Sequence, residues 1–186
     1  FTLGRNLRKV GNKVQDTSEL FFDGVRVPAE NLLGGTEGRG FYQLMQRLPE
    51  ERLIMAMSAV AQMECAVDET VAYAKTRETF GKKLVEHQAV RFKLAECRTT
   101  ATVARAYLER CIDLFVENRF DAQAGAMAKW WTTEKCCEVI EECLQLHGGY
   151  GYMRETPVAR RWADVRLGRI AGGTNEIMKD LIGRAL

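Results

Sequence analysis

The sequence predicts a mainly α fold, an up-and-down helix bundle preceded by a β-hairpin. Three observations lead to this prediction. From Phe41 onward, apolar residues recur at spacings of three and four, the period of an amphipathic helix. Residues 1–36 instead carry short strand-like runs bounded by turn residues. Finally, the segments "RETFGKK" and "ENRFDAQ" separate the long helical patterns as loops. We therefore divide the chain into residues 1–36 and a helical domain of residues 37–186.

The first predicted element is a hairpin made of residues 19–22 and 25–27. Asp23 and Gly24 between these runs suit a type I′ turn, and Pro28 closes the second strand. A single hairpin is not stable alone in water. It therefore either packs on the helices that follow or forms the end of a β domain.

Three long helices follow, each predicted from an apolar stripe. The second stripe, within residues 88–116, alternates spacings of four and three like a coiled-coil seam. The third stripe is less regular and ends at "HGGYG", which has the form of a glycine C-cap. The three stripes are Leu53, Ala56, Val60, Met63, Val67, Val71 and Ala74; Val90, Leu94, Cys97, Ala101, Ala104, Leu108, Cys111 and Phe115; and Met127, Trp130, Cys137, Ile140 and Leu144.

Two shorter helices are predicted near the C-terminus. Thr156 followed by Pro157 fits the N-cap and first position of one helix, and Thr174 fits the N-cap of the last. Pro49 allows two interpretations, because it suits the first turn of a new helix at "PEER" or a kink in a helix that began near Phe41.

Composition excludes several classes of function. With 27 basic and 25 acidic residues the net charge is +2, so neither nucleic acid nor an anionic membrane is the expected partner. The sequence contains no uninterrupted apolar run of about 18 residues, so no membrane span is predicted. The six cysteines lack C-x-x-C spacing and fit buried, reduced thiols, which favours an intracellular compartment. Neither His87 nor His147 has metal-ligand spacing to another candidate, so no metal site is predicted.

Two stretches carry chemistry. In "AGGTNEI", Gly172 and Gly173 precede a helix start, where free backbone N–H groups can bind a phosphate, carboxylate or carbonyl oxygen; the alternative is a turn with no ligand. In "LPEERLIMA", Glu50 and Glu51 either compensate a helix dipole or provide a general base whose pKa is raised by an apolar pocket. Separately, Arg77 lies near a helix end, where its guanidinium either binds a phosphate or is exposed to solvent.

Several long motifs, in order, resemble those of the acyl-CoA dehydrogenase family. They are "SELFFDGVRVPAENLLG", "RETFGKKLVEHQAVRFKLAE", "QLHGGYGYMRETPVARRWADVR" and "AGGTNEI". The sequence is most similar to the long-chain branch of that family. The resemblance implies a helical N-terminal domain, a middle β domain and a C-terminal four-helix bundle. Residues 1–36 then correspond to the end of the β domain, and residues 37–186 correspond to the complete bundle.

The resemblance also implies an activity, which is the FAD-dependent oxidation of fatty acyl-CoA to trans-2-enoyl-CoA. A glutamate removes the α proton while a hydride passes from the β carbon to the flavin. The expected partners are the acyl-CoA substrate, an electron-transferring flavoprotein and further copies of the chain, as a homotetramer built from two dimers. The expected compartment is the mitochondrial matrix in a eukaryote or the cytoplasm in a bacterium.

The same resemblance assigns site residues. Many relatives carry the base at the position of Gly172, and the long-chain and isovaleryl-like branches carry it where this sequence has Glu51, which we predict to be the catalytic base. The implied substrate contacts are Tyr42, Glu50, Arg52, Gly172 and Gly173. The implied FAD contacts are Arg77, Phe80 and Gln88, then Gln145, Gly148 and Gly149 to the FAD of a neighbouring subunit, and Thr174, Asn175 and Glu176 on the flavin side.

Two alternatives remain open from the sequence. In the first, the same fold passes its electrons to oxygen, as in an acyl-CoA oxidase. In the second, the isolated chain is an inactive assembly or FAD-bridging module, which binds FAD weakly and does not turn over.

Overall fold

The computed structural model describes all 186 residues. Three long helices dominate the fold, and two short helices follow them. Four short strands form two separate antiparallel pairs. The helices are α1 (Gly40–Thr76), α2 (Gln88–Val116), α3 (Ala122–Leu146), α4 (Pro157–Val165) and α5 (Asn175–Gly183). The strands are β1 (Thr2–Asn6), β2 (Ser18–Phe21), β3 (Glu78–Thr79) and β4 (Lys82–Lys83).

The three long helices pack against one another, and α4 and α5 pack on α3 to complete the bundle. The predicted mainly α bundle is therefore confirmed. Small residues let the helices approach closely. Gly125 of α3 lies against Pro49 of α1, where an added Cβ would meet the Pro49 Cα at 3.1 Å. Pro49 thus lies inside α1, and the alternative that a new helix begins at this proline is wrong.

The predicted stripes of α1 and α2 form most of the core. Six of the seven α1 positions are buried, with Val71 packed at the margin, and all α2 positions except Val90 and Phe115 are buried. The α3 stripe is largely wrong, because only Ile140 of its five residues is buried. Helix α3 contacts four other helices, so its buried surface is wide and includes polar residues that an apolar pattern does not detect. The buried α3 residues are Gly125, Ala126, Ala128, Lys129, Thr132, Thr133, Cys136, Val139, Ile140 and Cys143.

The prediction of the N-terminal hairpin is wrong about which strands pair. Strand β2 covers residues 18–21, but it pairs with β1, in the register Thr2 with Phe21 and Leu3 with Leu20. Residues 25–27 form no strand. Gly24 has a positive φ of 54° but Asp23 does not, so these two residues do not form the type I′ turn. The turn residues Asp23 and Gly24 predict pairing with the segment that directly follows them, whereas β2 pairs with a strand that lies about fifteen residues earlier in the chain.

A different hairpin occupies "RETFGKK", which the sequence predicted as a loop. Strands β3 and β4 are joined by Phe80 and Gly81, whose φ angles of 52° and 78° are both positive. Positive φ at both central residues is the property of a type I′ turn. Phenylalanine is an unusual residue in that conformation, because its Cβ is crowded there.

The predicted helix ends agree with the structure. Thr156 is the N-cap of α4 and Pro157 its first residue. The Thr174 hydroxyl accepts a hydrogen bond from the Ile177 N–H at 3.4 Å and caps α5. Gly148, with φ of 57°, follows the C-cap of α3.

All six cysteines are free. Cys65 is exposed and Cys137 is half-buried, so the prediction that every thiol is buried holds for the remaining four. Burial raises the pKa of the Cys136 thiol to about 12.

Candidate active site

The predicted site residues lie in two regions, near opposite ends of α1. Tyr42, Glu50, Glu51 and Arg52 lie in its first half, whereas Arg77 is its C-cap. At 1.5 Å of rise per residue, roughly 40 Å separates Arg52 from Arg77 along the helix. We call the first region the proximal site and the region around Arg77 the distal site.

The proximal site is built around the turn before α5. Gly172 and Gly173 have φ angles of 65° and 94°, in the left-handed region that favours glycine. Space is also short, because a Cβ on Gly172 would lie 2.7 Å from the Met55 Sδ and one on Gly173 would lie 2.8 Å from the Met178 Cε. The positive φ angles therefore favour glycine at both positions, whereas a Cβ would also require the ends of the two methionine side chains to move.

Two buried cations hold this turn from inside the bundle. The Arg52 Nε donates a hydrogen bond to the Gly172 carbonyl at 3.2 Å, and the Lys129 Nζ donates one to the Gly173 carbonyl at 2.7 Å. Arg52 is 6% exposed and Lys129 is fully buried. Neither cation has a carboxylate within ion-pair distance.

The surroundings shift the pKa values of both cations downward. Burial and, to a smaller extent, the charge of Arg52 lower the pKa of Lys129 to about 8, against the opposing charges of Glu176 and Glu134. Burial also lowers the pKa of Arg52, while the charge of Glu51 acts in the opposite direction. The inner side of the turn thus has a concentration of positive charge.

Asn175, at the start of α5, has an inward-facing side chain that is 2% exposed. Its Oδ1 accepts hydrogen bonds from the Lys129 Nζ at 2.8 Å and from the Thr133 hydroxyl at 3.2 Å. Its Nδ2 donates to Glu134, which forms an ion pair with Arg169 at 2.9 Å. The Asn175 side chain is therefore engaged within this chain, and its contact with FAD stays a prediction.

The other residues at this helix start remain accessible. Glu176 is exposed, and its own backbone N–H lowers the pKa of its carboxyl, with the Thr174 hydroxyl as a second cause. The N–H groups of Gly172, Gly173 and Thr174 have no hydrogen-bond partner within the chain. The carbonyl groups of Gly172 and Gly173 are therefore hydrogen-bonded inside the bundle, whereas the N–H groups of the turn are available to bind a ligand.

Glu51, the predicted base, has an exposed side chain and directly precedes the buried Arg52. Met55 lies one helical turn further along α1 and borders Gly172. Because residues four apart in a helix lie on the same face, Glu51 belongs to the face of α1 that passes the turn.

Tyr42 and Glu50, the other predicted substrate contacts, have different surroundings. Tyr42 is 55% exposed, with the Arg39 guanidinium 4.6 Å from its ring centroid. Glu50 pairs with Arg47 at 3.4 Å. Neither side chain is hydrogen-bonded to the Gly172–Gly173 turn.

A cavity of about 260 Å³ adjoins the turn, between α1, α3 and the segment that leads from α4 to the turn. Its α1 wall includes Met55, Ser58 and Gln62, which continue the face that carries Glu51. The complete lining is Asn12, Met55, Ser58, Ala59, Gln62, Thr133, Cys136, Asp164, Val165, Leu167, Gly168 and Ala171.

At the distal site, α1 and the end of α3 meet. The Tyr73 ring stacks on His147 with centroids 4.4 Å apart, and the Tyr73 hydroxyl donates to the His147 carbonyl at 3.3 Å. The exposed Arg77 guanidinium lies 5.8 Å from the centroid of the Tyr150 ring. Tyr150 directly follows the exposed residues Gly148 and Gly149, so Arg77 and that turn share one surface.

The β3–β4 hairpin extends the distal site. Phe80 is 99% exposed although its positive φ is unfavourable, and strained, exposed residues of this kind cluster at binding sites. His87 fixes the hairpin, because its Nε2 lies 3.1 Å from the Thr79 hydroxyl. Gln88 and Gln145, also predicted to contact FAD, are exposed at the start of α2 and the end of α3.

Sequence reasoning missed the polar groups under the proximal turn. Lys129, Thr133, Glu134 and Arg169 were not singled out, although together with Asn175 they form one network. One signal was present, because a lysine interrupts the apolar run "AMAKWW" at a position within the predicted helix. The partners of that lysine come from residues more than forty positions later, which periodicity does not reveal.

Three similar proteins establish the context of this site. The long-chain specific mitochondrial acyl-CoA dehydrogenase of Sus scrofa is 50% identical over 186 residues, covering 100% of this chain and 43% of its own length. The crystal structure of an acyl-CoA dehydrogenase from Geobacillus kaustophilus has a TM-score of 0.95 and 46% identity, with 99% of this chain and 48% of that chain covered. A chain from a structure described as electron transferring flavoprotein of Acidaminococcus fermentans has a TM-score of 0.93 and 34% identity, with coverages of 99% and 48%.

The fold and the two sites define a C-terminal helical domain of a known kind. The sequence profile "Acyl-CoA dehydrogenase, C-terminal domain" matches residues 38–186. The chain therefore belongs to the acyl-CoA dehydrogenase family, and it spans about half the length of the curated relatives that it matches. None of its helices is long and apolar enough to cross a lipid bilayer.

Proposed function

We propose that this chain contributes the catalytic base and much of the cofactor surface of an acyl-CoA dehydrogenase, which oxidises a fatty acyl-CoA to its trans-2-enoyl product. The observation that carries the proposal is the arrangement at the proximal site. Arg52 is hydrogen-bonded to Gly172, so the adjacent Glu51 is tied to a turn that has no acid or base of its own. Family membership supplies the reaction class.

The residues of the distal site fit a dinucleotide such as FAD. Arg77 offers an exposed guanidinium suited to a pyrophosphate, and the exposed Phe80 ring offers a face for an adenine. Glycine at positions 148 and 149 leaves open space above the backbone. We assign to FAD the residues Arg77, Phe80, Gln88, Gln145, Gly148 and Gly149 at the distal site, and Thr174, Asn175 and Glu176 at the proximal site.

The distance between the two sites has a consequence for assembly. The two sites of a single chain are roughly 40 Å apart along α1, which is too long for one extended dinucleotide to contact both. We therefore propose that each FAD contacts the distal site of one subunit and the proximal site of another. This arrangement requires an oligomer, and we propose the homotetramer that the sequence resemblance implied.

At the proximal site, the chain's residues have separate tasks. The Glu51 carboxylate takes the α proton of the thioester, a step that becomes feasible when the bound substrate excludes water and raises the pKa of the base. The N–H groups of the Gly172–Gly173 turn are available for the thioester carbonyl, which gains negative charge as the proton leaves. FAD, when bound, supplies the acceptor for the hydride from the β carbon.

The proposal is tested by Glu51→Gln in the FAD-loaded holoenzyme. Glutamine keeps the size of the side chain but cannot accept the proton, so enoyl-CoA formation is expected to fall by about 100-fold or more. The amount of bound FAD is expected to be unchanged, because Glu51 is not among the residues assigned to FAD.

Glu109→Gln is the matched control, since Glu109 is an exposed carboxylate of α2 that lies outside both sites, and this variant is expected to keep most of the activity. Turnover by Glu51→Gln at the wild-type rate would refute the assignment of the base. The electron acceptor is tested separately, by comparing peroxide release with reduction of an electron-transferring flavoprotein. We propose the flavoprotein as acceptor, and stoichiometric peroxide would instead indicate an oxidase.

A further inference from the structure

We propose that Lys129 is a positioning residue for the Gly172–Gly173 turn, which it holds in place through the Gly173 carbonyl and the Asn175 side chain. The inference rests on the proposed function for its kinetic consequence. Its structural part stands independently of any activity.

The geometry of the Lys129 ammonium is the first argument. The group is fully buried, although its hydrogen-bond acceptors are a backbone carbonyl at 2.7 Å and an amide oxygen at 2.8 Å, both uncharged. Burying an ammonium without a paired carboxylate is costly, because the charge loses its hydration. A neutral residue of similar size would fill the same space without the loss of hydration free energy. We therefore attribute the presence of a charge to the hydrogen bonds that it donates to Gly173 and Asn175.

The second argument is that the acceptors of Lys129 belong to the turn and to the helix that follows it. Lys129 lies in α3, more than forty residues earlier in the chain. Asn175 is further fixed by Thr133 and Glu134, so α3 holds the start of α5 through several bonds. The position of the turn relative to α1, which carries Glu51, therefore depends on this attachment.

The two cations also act on the peptide groups of the turn. The Gly173 carbonyl shares its peptide group with the Thr174 N–H, and the Gly172 carbonyl shares its peptide group with the Gly173 N–H. A cation at a carbonyl oxygen polarises the peptide and makes its N–H a stronger donor. Both N–H groups lack partners within the chain. Lys129 and Arg52 thus strengthen two donors that are available to a ligand.

The charged groups around Lys129 define how it responds to pH. Arg52 faces it from α1, Glu134 lies on α3, and Glu176 approaches from α5. The net effect of burial and Arg52 lowers the pKa of Lys129 to about 8, so the ammonium loses its proton as the pH rises through this value. The hydrogen bond from Lys129 to the Gly173 carbonyl is then weaker above about pH 8 than below it.

The test is hydrogen–deuterium exchange in the holoenzyme, comparing the wild type with Lys129→Met. The amides followed are those of Ala171, Ile177 and Met178, which are hydrogen-bonded on either side of the Gly172–Gly173 turn, and their protection is called the protection of the turn. Methionine keeps the apolar stem but removes the charged donor. Because a hydrogen bond to a charged group contributes a substantial stabilisation, the protection factors of the turn are expected to fall by about tenfold or more. The control is Lys135→Met, which removes a half-buried lysine of the same helix that pairs with Glu138 at 2.7 Å.

Two further readouts separate positioning from general stability. In the wild type, turn protection is expected to decline between about pH 7 and pH 9, whereas in Lys129→Met it should be independent of pH over that range. In kinetics, kcat is expected to fall by about tenfold with a smaller change in KM, since the turn acts on the reacting carbonyl. Lys129→Gln, which retains an uncharged donor, should recover part of both properties.

Each outcome has a defined meaning. Unchanged protection of the turn in Lys129→Met would overturn the inference, as would an equal loss of protection in all helices of Lys129→Gln. If Lys129→Met does not fold, Lys129→Gln and its pH profile carry the test. A wild-type enzyme without acyl-CoA turnover would instead refute the proposed function and leave the exchange result to be judged by itself.

Discussion

At the scale of single residues, the proximal site depends on the absence of side chains. Gly172 stands where many relatives, by resemblance, have their base, and its φ of 65° suits glycine better than any residue with a Cβ. The nearby Met55 sulfur leaves no room for a Cβ without movement. The turn thus contributes its backbone, and the acid–base chemistry is assigned to Glu51 on another helix.

We predict that Gly172→Ala lowers the free energy of unfolding by about 1–2 kcal/mol, because alanine is disfavoured in the left-handed region. Gly183→Ala is the matched control, since Gly183 ends α5 with no positive φ and has open space around it. That control is expected to be neutral or slightly stabilising. Urea denaturation measures both variants, and equal stabilities for the two would contradict the prediction.

At the scale of elements, the neighbouring helices α1 and α2 are joined by side chains outside the core. The Arg105 Nε donates a hydrogen bond to the Glu64 Oε1 at 2.8 Å, and Arg105 presents a second donor to the same carboxylate. This bidentate contact lowers the pKa of Glu64, and the charge of Arg98 adds to it. The pair is partly exposed, so its contribution to stability is small, below about 1 kcal/mol.

The direction of the pH dependence follows from the lowered pKa. Because Glu64 has a lower pKa in the folded state than its ordinary value of 4.5, the contact stabilises the fold above that pH and is lost on further acidification. We predict that wild type is more stable than Glu64→Gln at pH 7 and that the difference decreases as the pH falls below 4.5, until the Glu64 carboxyl is protonated in the folded state.

The measurement is the free energy of unfolding of both proteins as a function of pH. Glu78→Gln supplies the control, because Glu78 is exposed, forms no ion pair and undergoes the same change of charge. A stability difference for Glu64→Gln that is constant with pH would show that the Arg105 contact is not its source.

At the scale of the whole molecule, one core links the three long helices and α4. Ile140 of α3 is fully buried in it, together with Val60 and Met63 of α1 and Leu108 of α2. Many other core residues are alanine or cysteine, so the helices are close together and little space is available for rearrangement. Truncation in this core therefore leaves a cavity rather than a repacked interior.

We predict that Ile140→Ala lowers the free energy of unfolding by about 2–5 kcal/mol. Ile54→Ala makes the same chemical change on α1 at a side chain that is 58% exposed, and it is expected to cost less than about 1 kcal/mol. Thermal or urea unfolding distinguishes the two. Similar losses for both variants would show that Ile140 is not in a closely packed core.

Several features could be predicted because they depend on local physics. The apolar seam of α2 fixed both its limits and its buried face, and Thr174 and Pro157 marked helix starts through capping and fixed φ. The stretches around Glu51 and Gly172 were singled out as candidates from residue types, and their functional roles, which the resemblance implies, stay a prediction. In contrast, the pairing of β2 with β1 is a long-range choice that no local turn signal contains.

The sequence by itself determined the mainly α class, the limits of α2 and the family, because periodicity, caps and ordered motifs are local properties of the chain. Only the tertiary structure decided that Arg52 and Lys129, from two different helices, converge on adjacent carbonyls of one turn. Their convergence depends on how α1, α3 and α5 pack. A buried charge can be recognised as a partner of a distant backbone group only when that packing is known.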